Sequence, residues 1–362
     1  MKGRVIIAGF ATRHVVESAF RAGYEVLAVD YFCDQDLHWY TKECHTFEEI
    51  AEIPDLIESV AATKPVDHLI LTSGVEDLQV TLPVSGTPPE TAHRFLDKLV
   101  MQEFFLHAGL PVPPLCKDHD FPAFIKPLRG AGGWRNQLVQ NADEEEAWNQ
   151  LWDEPVPYLR QQPVDGIPCS VSCVADGTRA RALAVNAQLL RGGEGEKAFG
   201  FSGSVTPFDT DQSAALIKIA EQAAGLSGCI GSVGVDLMLD GDTIHIIEIN
   251  PRFQATVDTV ERATKTSVFE HHMAACAGNL PMETPMPKQV AIRSVLFADR
   301  DLTVGDDLKK MAPSIADIPW PGTEIQEGSA VLSVYGTGPD RDAAFAKLDT
   351  TISLVRRSID RW

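Results

Sequence analysis

Two carboxylates and an amide fall around one turn of this chain. Asp236 lies in the apolar stretch 232–239, Glu248 and Asn250 close the stretch 243–250, and Asp240-Gly241 separates the two. Asp-Gly between apolar runs is a hairpin signal, so strands over 232–239 and 243–249 are expected to pair. Glu248 and Asn250 are two apart and share a face of their strand, and the hairpin can bring Asp236 opposite them. Two carboxylates and an amide oxygen are hard ligands that suit Mg2+, which completes its shell with water and phosphate oxygens. Arg252 follows Pro251 and is placed to offset charge on a transferring phosphoryl group or an acyl phosphate. For Asp236 alone, a solvated hairpin face would be the simpler reading. A carboxylate between Ile247 and Ile249 asks for a reason.

A second cluster precedes the hairpin. Lys126 ends the apolar run Phe124-Ile125, and Gly130, Gly132 and Gly133 follow it. Lysine offers a point charge to phosphate, and glycines let backbone N–H groups approach phosphate oxygens. Lys98, in a helix expected over 91–108, can add a second charge; by itself it reads as a solvated helix residue. Cys169 and Cys173 are four apart in a strand-like stretch and share a face. Metal or disulfide use is open there, but buried free thiols are the simpler reading.

The surrounding elements alternate strand and helix at first. Val5 to Ala8 and Tyr24 to Asp30 read as buried strands around a helix with Val15, Val16, Ala19 and Phe20 on one face. A helix over 48–62 and a strand from His68 to Thr72 follow, which predicts a parallel doubly wound sheet. The turn after Val5 to Ala8 lacks the full Gly-x-Gly-x-x-Gly fingerprint, so it is weak support for a nicotinamide cofactor. The stretch 83–89, rich in Pro, Gly and Ser, marks a boundary. Beyond it, strands are expected near 123–126, 156–161, 167–175 and 178–190. A helix over 211–224 should be capped by Thr210 or Asp211. The tail reads as strand 290–297, an irregular stretch with Pro319 and Pro321, strand 330–334 and helix 341–357.

Composition sets limits. The chain has 362 residues, 44% hydrophobic and 23% charged, enough for two or three domains. Its net charge of −20 repels nucleic acid and anionic lipid. No run reaches the ~20 apolar residues of a membrane helix. The N-terminal apolar run is short for a leader peptide, and seven cysteines without a Cys-x-x-Cys pair read as reduced thiols. A cytoplasmic protein with no nucleic-acid or membrane partner is expected.

Lys126 with its glycine loop, then Asp236, Glu248, Asn250 and Arg252 in that order, resembles the ATP-grasp superfamily, and the metal spacing resembles its biotin-carboxylase branch. Gly-Phe-x-Thr-Arg near the N-terminus and the stretch from Asp30 to Asp36 resemble archaeal proteins described as predicted carboligases. The resemblance implies an α/β and α+β architecture. A pre-ATP-grasp Rossmann-like domain over 1–90 would precede an ATP-grasp body over 91–285 with a lid near 115–165, and a carboxylase-like segment over 286–362 would follow. It implies ATP and Mg2+, with Mn2+ as a substitute. Lys98 and Lys126 would hold phosphates, Gly130, Gly132 and Gly133 would form the lid loop, and Gln161, Gln162, Pro163 and Val164 would read adenine. Asp236, Glu248 and Asn250 would hold the metal, and Arg252 and Lys126 would face the reacting centre. Gln161 and Gln162 replace the usual acidic hinge residue, Pro168 stands where a ribose-binding acid is common, and Asp236 is one carbon shorter than the branch's usual glutamate. The implied activity joins a small-molecule carboxylate to an amine or other nucleophile through an acyl phosphate. The alternatives are carboxylation through carboxyphosphate and nucleotide-dependent regulation without turnover. A homodimer is left open. Arg13, Asp30, Ser73, Glu76, Gln254 and Glu261 are substrate-site candidates by position.

Overall fold

In this computed structural model, residues 2–117, 119–130, 132–193, 195–305 and 307–362 are described. Ala131, in the glycine-rich stretch, lies outside them. The first strand, β1 (Arg4–Gly9), is followed by helix α1 (Arg13–Arg21), β2 (Glu25–Asp30), β3 (Cys44–His45), α2 (Ile53–Thr63) and β4 (His68–Leu71). The four strands form a parallel sheet in the order β3-β2-β1-β4. Helices cover both faces, which is why β1 is continuously apolar. Val5 and Ile7 pack towards Val15, Val16 and Ala19, whereas Ile6 and Ala8 pack towards Ile53, Ile57 and Val60. The helix expected over 48–62 starts at Ile53, with Pro54 in its first turn and a short 3-10 turn before it.

The helix expected over 91–108 is two helices, α3 (Pro89–Arg94) and α4 (Lys98–His107). Asp97 causes the break: its carboxylate accepts from the amides of Leu99 and Val100 at 2.9 and 3.2 Å, a cap that starts a new helix. Lys98 therefore opens a helix, and its amide donates to Leu128 O at 2.9 Å. A small antiparallel sheet follows, made of β5 (Ala123–Pro127), β6 (Gln137–Val139), helix α5 (Ala142–Asn149) packed beside it, and β7 (Tyr158–Gln161).

The main sheet is built from β8 (Ile167–Asp176), β9 (Ala180–Leu190), β10 (Phe201–Thr206), β11 (Ile230–Asp240), β12 (Thr243–Asn250) and β13 (Val290–Phe297). The tail adds β14 (Leu302–Thr303), β15 (Ile315–Ala316), β16 (Glu324–Ile325) and β17 (Ala330–Gly338). The order is β12-β11-β8-β9-β10-β13-β17-β15, and β14 pairs separately with β16. One face meets α6 (Ser213–Leu226) and α9 (Arg341–Ile359) over the largest apolar core. The other meets α7 (Val257–Thr264) and α8 (Val268–Cys276). Strand β10 escapes the sequence reading because Gly and Ser dilute its apolar pattern. Gly203 is needed there, since a Cβ would sit 2.0 Å from Arg293 O. The expected cap at Thr210 or Asp211 is also corrected: α6 begins at Ser213, and the Thr210 hydroxyl only accepts from Gln212 N, at 3.2 Å.

Cys169 and Cys173 are free, buried and on one face, within the apolar core. The reading of all thiols as reduced is corrected at Cys33 and Cys44, which form a disulfide with Cα atoms 6.1 Å apart. The pairing of β2 with β3 brings them together across the loop 31–43.

A buried ion network fastens α1 to the tail. Arg13 donates to both oxygens of Asp258, at 3.0 and 2.7 Å, and to Asp317 at 2.8 Å. Arg293 donates to Asp317 at 3.0 Å, and the Tyr335 hydroxyl to Asp258 at 2.5 Å. Burial pushes the Asp258 and Asp317 carboxyls up, but Arg13 and Arg293 hold both well below the usual carboxylate range. Removing one partner of a buried ion pair strands the other. Arg13→Met is therefore expected to destabilise the chain by roughly 3–5 kcal/mol in a urea titration. A loss below about 1 kcal/mol, the scale of an exposed pair, would contradict that role.

Candidate active site

The site grows from the hairpin of β11 and β12. Asp240 pairs with Thr243 across a two-residue turn in which Gly241 has φ +57°. Along β11, Val233, Val235, Leu237 and Leu239 enter the core, so Gly234 and Asp236 face the other way. On β12, Ile244 and Ile246 enter the core, and so does Ile249. The alternation slips because the register shifts: Leu237 pairs with Ile246 but Asp236 with Glu248. Ile247 is the extra residue of a β-bulge. The bulge turns Glu248 and Asn250 to the face of Asp236, where all three line a cavity of about 980 Å3.

Inside the cavity the polar groups are closely interlocked. Asp236 and Glu248 are close enough to share a hydrogen bond. Burial pushes the Asp236 carboxyl well above the usual carboxylate range and Glu248 adds to this, while Arg252 and Asn250 oppose it. The Asn250 amide donates to Asp236 at 3.1 Å and Glu248 at 3.3 Å, and its oxygen accepts from Arg252 at 3.1 Å. The expected convergence of this amide oxygen with the two carboxylates is thus corrected: the NH2 faces them. Arg252 is itself paired with Glu76 at 2.5 Å. Gln188 on β9 donates to Asp236 at 2.9 Å, and Gln254 donates to it at 3.4 Å. The sequence reading missed Gln188. The signal was present: Asn186 and Gln188 are polar at alternate positions of the otherwise apolar stretch 182–190.

Lys126 faces the cavity from β5. Burial lowers its pKa to about 8, with Glu248 pulling it up and Lys98 down. Lys98 is not among the residues lining the cavity; its ammonium donates to Gly130 O at 2.8 Å, and burial lowers its pKa too. Gly132 and Gly133 line the cavity and Gly130 does not. A Cβ on Gly133 would sit 2.1 Å from Phe199 O, so the loop passes tightly under the segment 195–200. Arg135 pins that contact by pairing with Glu196 at 2.8 Å between the rings of Trp134 and Trp152. Gln161, Gln162, Pro163 and Val164 also line the cavity, with Gln161 on β7 beside β5. Gln161 is tied to Gln102 at 2.9 Å, and Gln162 N to Pro114 O at 2.8 Å.

Of the substrate-site candidates, Ser73 and Gln254 line the cavity, and Glu76 holds Arg252. Arg13, Asp30 and Glu261 are engaged elsewhere. Arg13 belongs to the ion network. Asp30 accepts from Thr12, Phe32 and Cys33. Glu261, pushed up to about 7 by burial, binds Ser18 and Val268 N.

Among the described residues, no three His, Cys, Asp or Glu side chains gather to hold a metal. Two carboxylates are present, and the nearby Arg252 is already paired with Glu76. A half-buried, adjacent, incompletely offset acid pair suits a divalent cation that keeps water and phosphate ligands, as Mg2+ does.

Gly234 keeps space for Gln254, whose amide carbon would lie 1.7 Å from an added Cβ. Gly234→Ala should therefore cost roughly 1–3 kcal/mol of stability, as overpacking does. Adding Gln254→Ala should remove most of that cost in a double-mutant cycle. Additive costs would show that the two sites do not meet.

Residues 95–256 match the family model of the ATP-grasp domain. The chain is similar to the carbamoyl phosphate synthase large chain of Deinococcus radiodurans, 23% identical over 350 residues, covering 86% of this chain and 34% of that protein. It thus spans about a third of that relative's length. An uncharacterized protein of Methanocaldococcus jannaschii is 21% identical over 360 residues, covering 91% of this chain and 87% of its own. Among solved structures, biotin carboxylase from Campylobacter jejuni has a TM-score of 0.76 at 15% identity, covering 97% of this chain and 91% of that one. The L-amino acid ligase from Bacillus licheniformis has a TM-score of 0.72 at 16% identity, covering 98% of each chain. At such identities the structural likeness speaks for the fold. Residues 95–256 thus match an ATP-grasp domain, and the chain has a fold like that of biotin carboxylase.

Proposed function

We propose that this chain is an ATP-dependent ligase that activates a small-molecule carboxylate as an acyl phosphate and joins it to an amine or other nucleophile. The observation that carries the reading is the adjacency of Asp236 and Glu248 on the floor of a cavity that Lys126 and the glycine loop also line. In the first step a carboxylate oxygen attacks the γ-phosphorus of ATP, and ADP leaves with the electrons of the broken P–O bond. In the second, the nucleophile attacks the acyl carbon and phosphate leaves. Mg2+, held by Asp236 and Glu248 and by Asn250 once its amide turned over, would offset phosphate charge.

The remaining roles fall to the chain itself. Lys126 meets phosphate oxygens; burial lowers its pKa to about 8, and an anionic ligand would raise it again and hold the ammonium charged. The backbone of Gly132 and Gly133 offers close approach to phosphate, and the contacts of the loop with 195–200 help to exclude water that would hydrolyse an acyl phosphate. Arg252, oriented by Glu76 and Asn250, would face the activated acid. Gln161 to Val164 would take the adenine.

A second reading is carboxylation, in which bicarbonate is the acid and carboxyphosphate the intermediate. The fold likeness to biotin carboxylase over nearly the whole chain favours it. The two separate in one assay: ADP release is followed with pooled amino acids and amines, with or without bicarbonate, and with hydroxylamine as a trap. The ligase reading expects turnover that needs an organic acid, and a hydroxamate when hydroxylamine replaces the nucleophile. ADP release that follows bicarbonate and ignores organic acids would overturn it in favour of carboxylation.

A further inference from the structure

Three exposed aromatic side chains gather where β1 and β2 end, and a fourth, exposed Trp320, meets His38 and is tied to the same loop. Phe10 is 40% exposed, Tyr31 41%, Phe32 51% and Trp320 47%. Phe10 stacks on Tyr31 with ring centres 4.6 Å apart, and Phe32 meets the two edge-on at 5.3 and 5.1 Å. Trp320 reaches in from the tail, its indole N–H donating to Cys33 O at 2.9 Å. The cluster adjoins the cavity: Phe10 N donates to Ser73 O at 2.7 Å, and Ser73 lines the cavity. It also lies at the carboxyl ends of parallel strands, the edge where open α/β sheets bind ligands.

The same loop carries Asp34. It is half-buried, and its carboxyl makes no hydrogen bond or ion pair among the described residues; burial and the nearby Asp317, Asp36 and Asp30 push it well above the usual carboxylate range, so its negative charge is favoured when a cation arrives to offset it. Its charged neighbours are already engaged. Asp30 is held by Thr12 and backbone amides, and Asp36 accepts from the amides of Asp317 and Ile318 at 2.9 and 2.8 Å. Asp317 and Arg13 belong to the ion network. Aromatic faces beside an unmatched carboxylate attract a positive charge from two directions, through the ring quadrupoles and through Coulomb attraction. A self-complementary contact between two copies fits less well. It would draw Asp34 towards a desolvated interface, and such cores are depleted of charge.

We infer that Phe10, Tyr31, Phe32, Trp320 and Asp34 form a subsite for an organic ammonium group at the mouth of the cavity. If the ligase reading holds, this is the cationic end of a substrate, so the natural substrates include an amine with a second, unreacting positive charge or a quaternary ammonium. The identity of the bound cation as a substrate rests on that reading; the subsite does not.

The test titrates n-butylammonium, with n-butanol as its uncharged counterpart, into the intact chain and follows the Trp320 indole N–H by NMR. The ammonium should shift this signal saturably, and butanol should bind at least about tenfold more weakly. Asp34→Asn and Tyr31→Leu, each checked for a native thermal transition, should weaken the ammonium roughly 3- to 30-fold, the range of a cation–π contact. Equal binding of butanol, or undiminished ammonium binding in both variants, would overturn the subsite. So would sedimentation showing a dimer that Phe32→Ser dissociates, in a chain that binds no ammonium. Binding of a non-hydrolysable ATP analogue to the wild-type chain is measured in parallel. Its absence would sink the ligase reading and leave the subsite standing, whereas intact nucleotide binding without ammonium binding would sink the subsite alone.

Discussion

Strict alternation along β12 would turn Ile244, Ile246, Glu248 and Asn250 to one face, and that face is the apolar core beneath α6 and α9. A carboxylate buried there without a partner would cost several kcal/mol, on the order of an uncompensated polar burial or more. The bulge at Ile247 removes the conflict. It keeps Ile244, Ile246 and Ile249 in the core while Glu248 and Asn250 swing into the cavity beside Asp236. The isoleucines fix the strand against the core, so the site cannot slip in register without exposing them.

The face of the sheet that carries the site is unusually polar for a buried surface. Gln188 and Gln254 hold Asp236, and behind them Ser172, Thr256, Asn186, Thr206 and Thr259 are joined by hydrogen bonds. Gln254 and the five residues behind it are buried, and Gln188 is half-buried. Such a network is stable only when satisfied throughout, and a satisfied one is rigid. It meets α7, whose Asp258 enters the ion network with Arg13. The carboxylate pair therefore stands on a scaffold that extends to the N-terminal sheet and the tail.

Much of this was legible in the sequence. The βαβ alternation, the hairpin and the order of Lys126, Asp236, Glu248, Asn250 and Arg252 are local patterns, and local patterns survive folding. What was not legible depends on contacts between distant segments. Nothing near Arg13 announces that Asp258 and Asp317 will surround it, so it read as a substrate residue. Cys33 and Cys44 look like separate thiols until β3 pairs with β2. Asp97 could have been read as a cap, but it lies within an apolar periodicity that runs through it. The orientation of the Asn250 amide follows from Arg252 and the two carboxylates together, and strand periodicity gives only the side on which it lies.

The proposed function requires Asp236 and Glu248 to form a divalent-cation site completed by a nucleotide. Mn2+ can report on it in place of Mg2+, because both take oxygen ligands. Titrating Mn2+ into the chain, followed by electron paramagnetic resonance with and without a non-hydrolysable ATP analogue, tests the claim most directly. Mn2+ should bind weakly to the free chain and much more tightly in the presence of the analogue. Glu248→Gln, with an unchanged fold by circular dichroism, should lose the added affinity if the two carboxylates form the site. Tight, nucleotide-dependent Mn2+ binding that survives Glu248→Gln would contradict it.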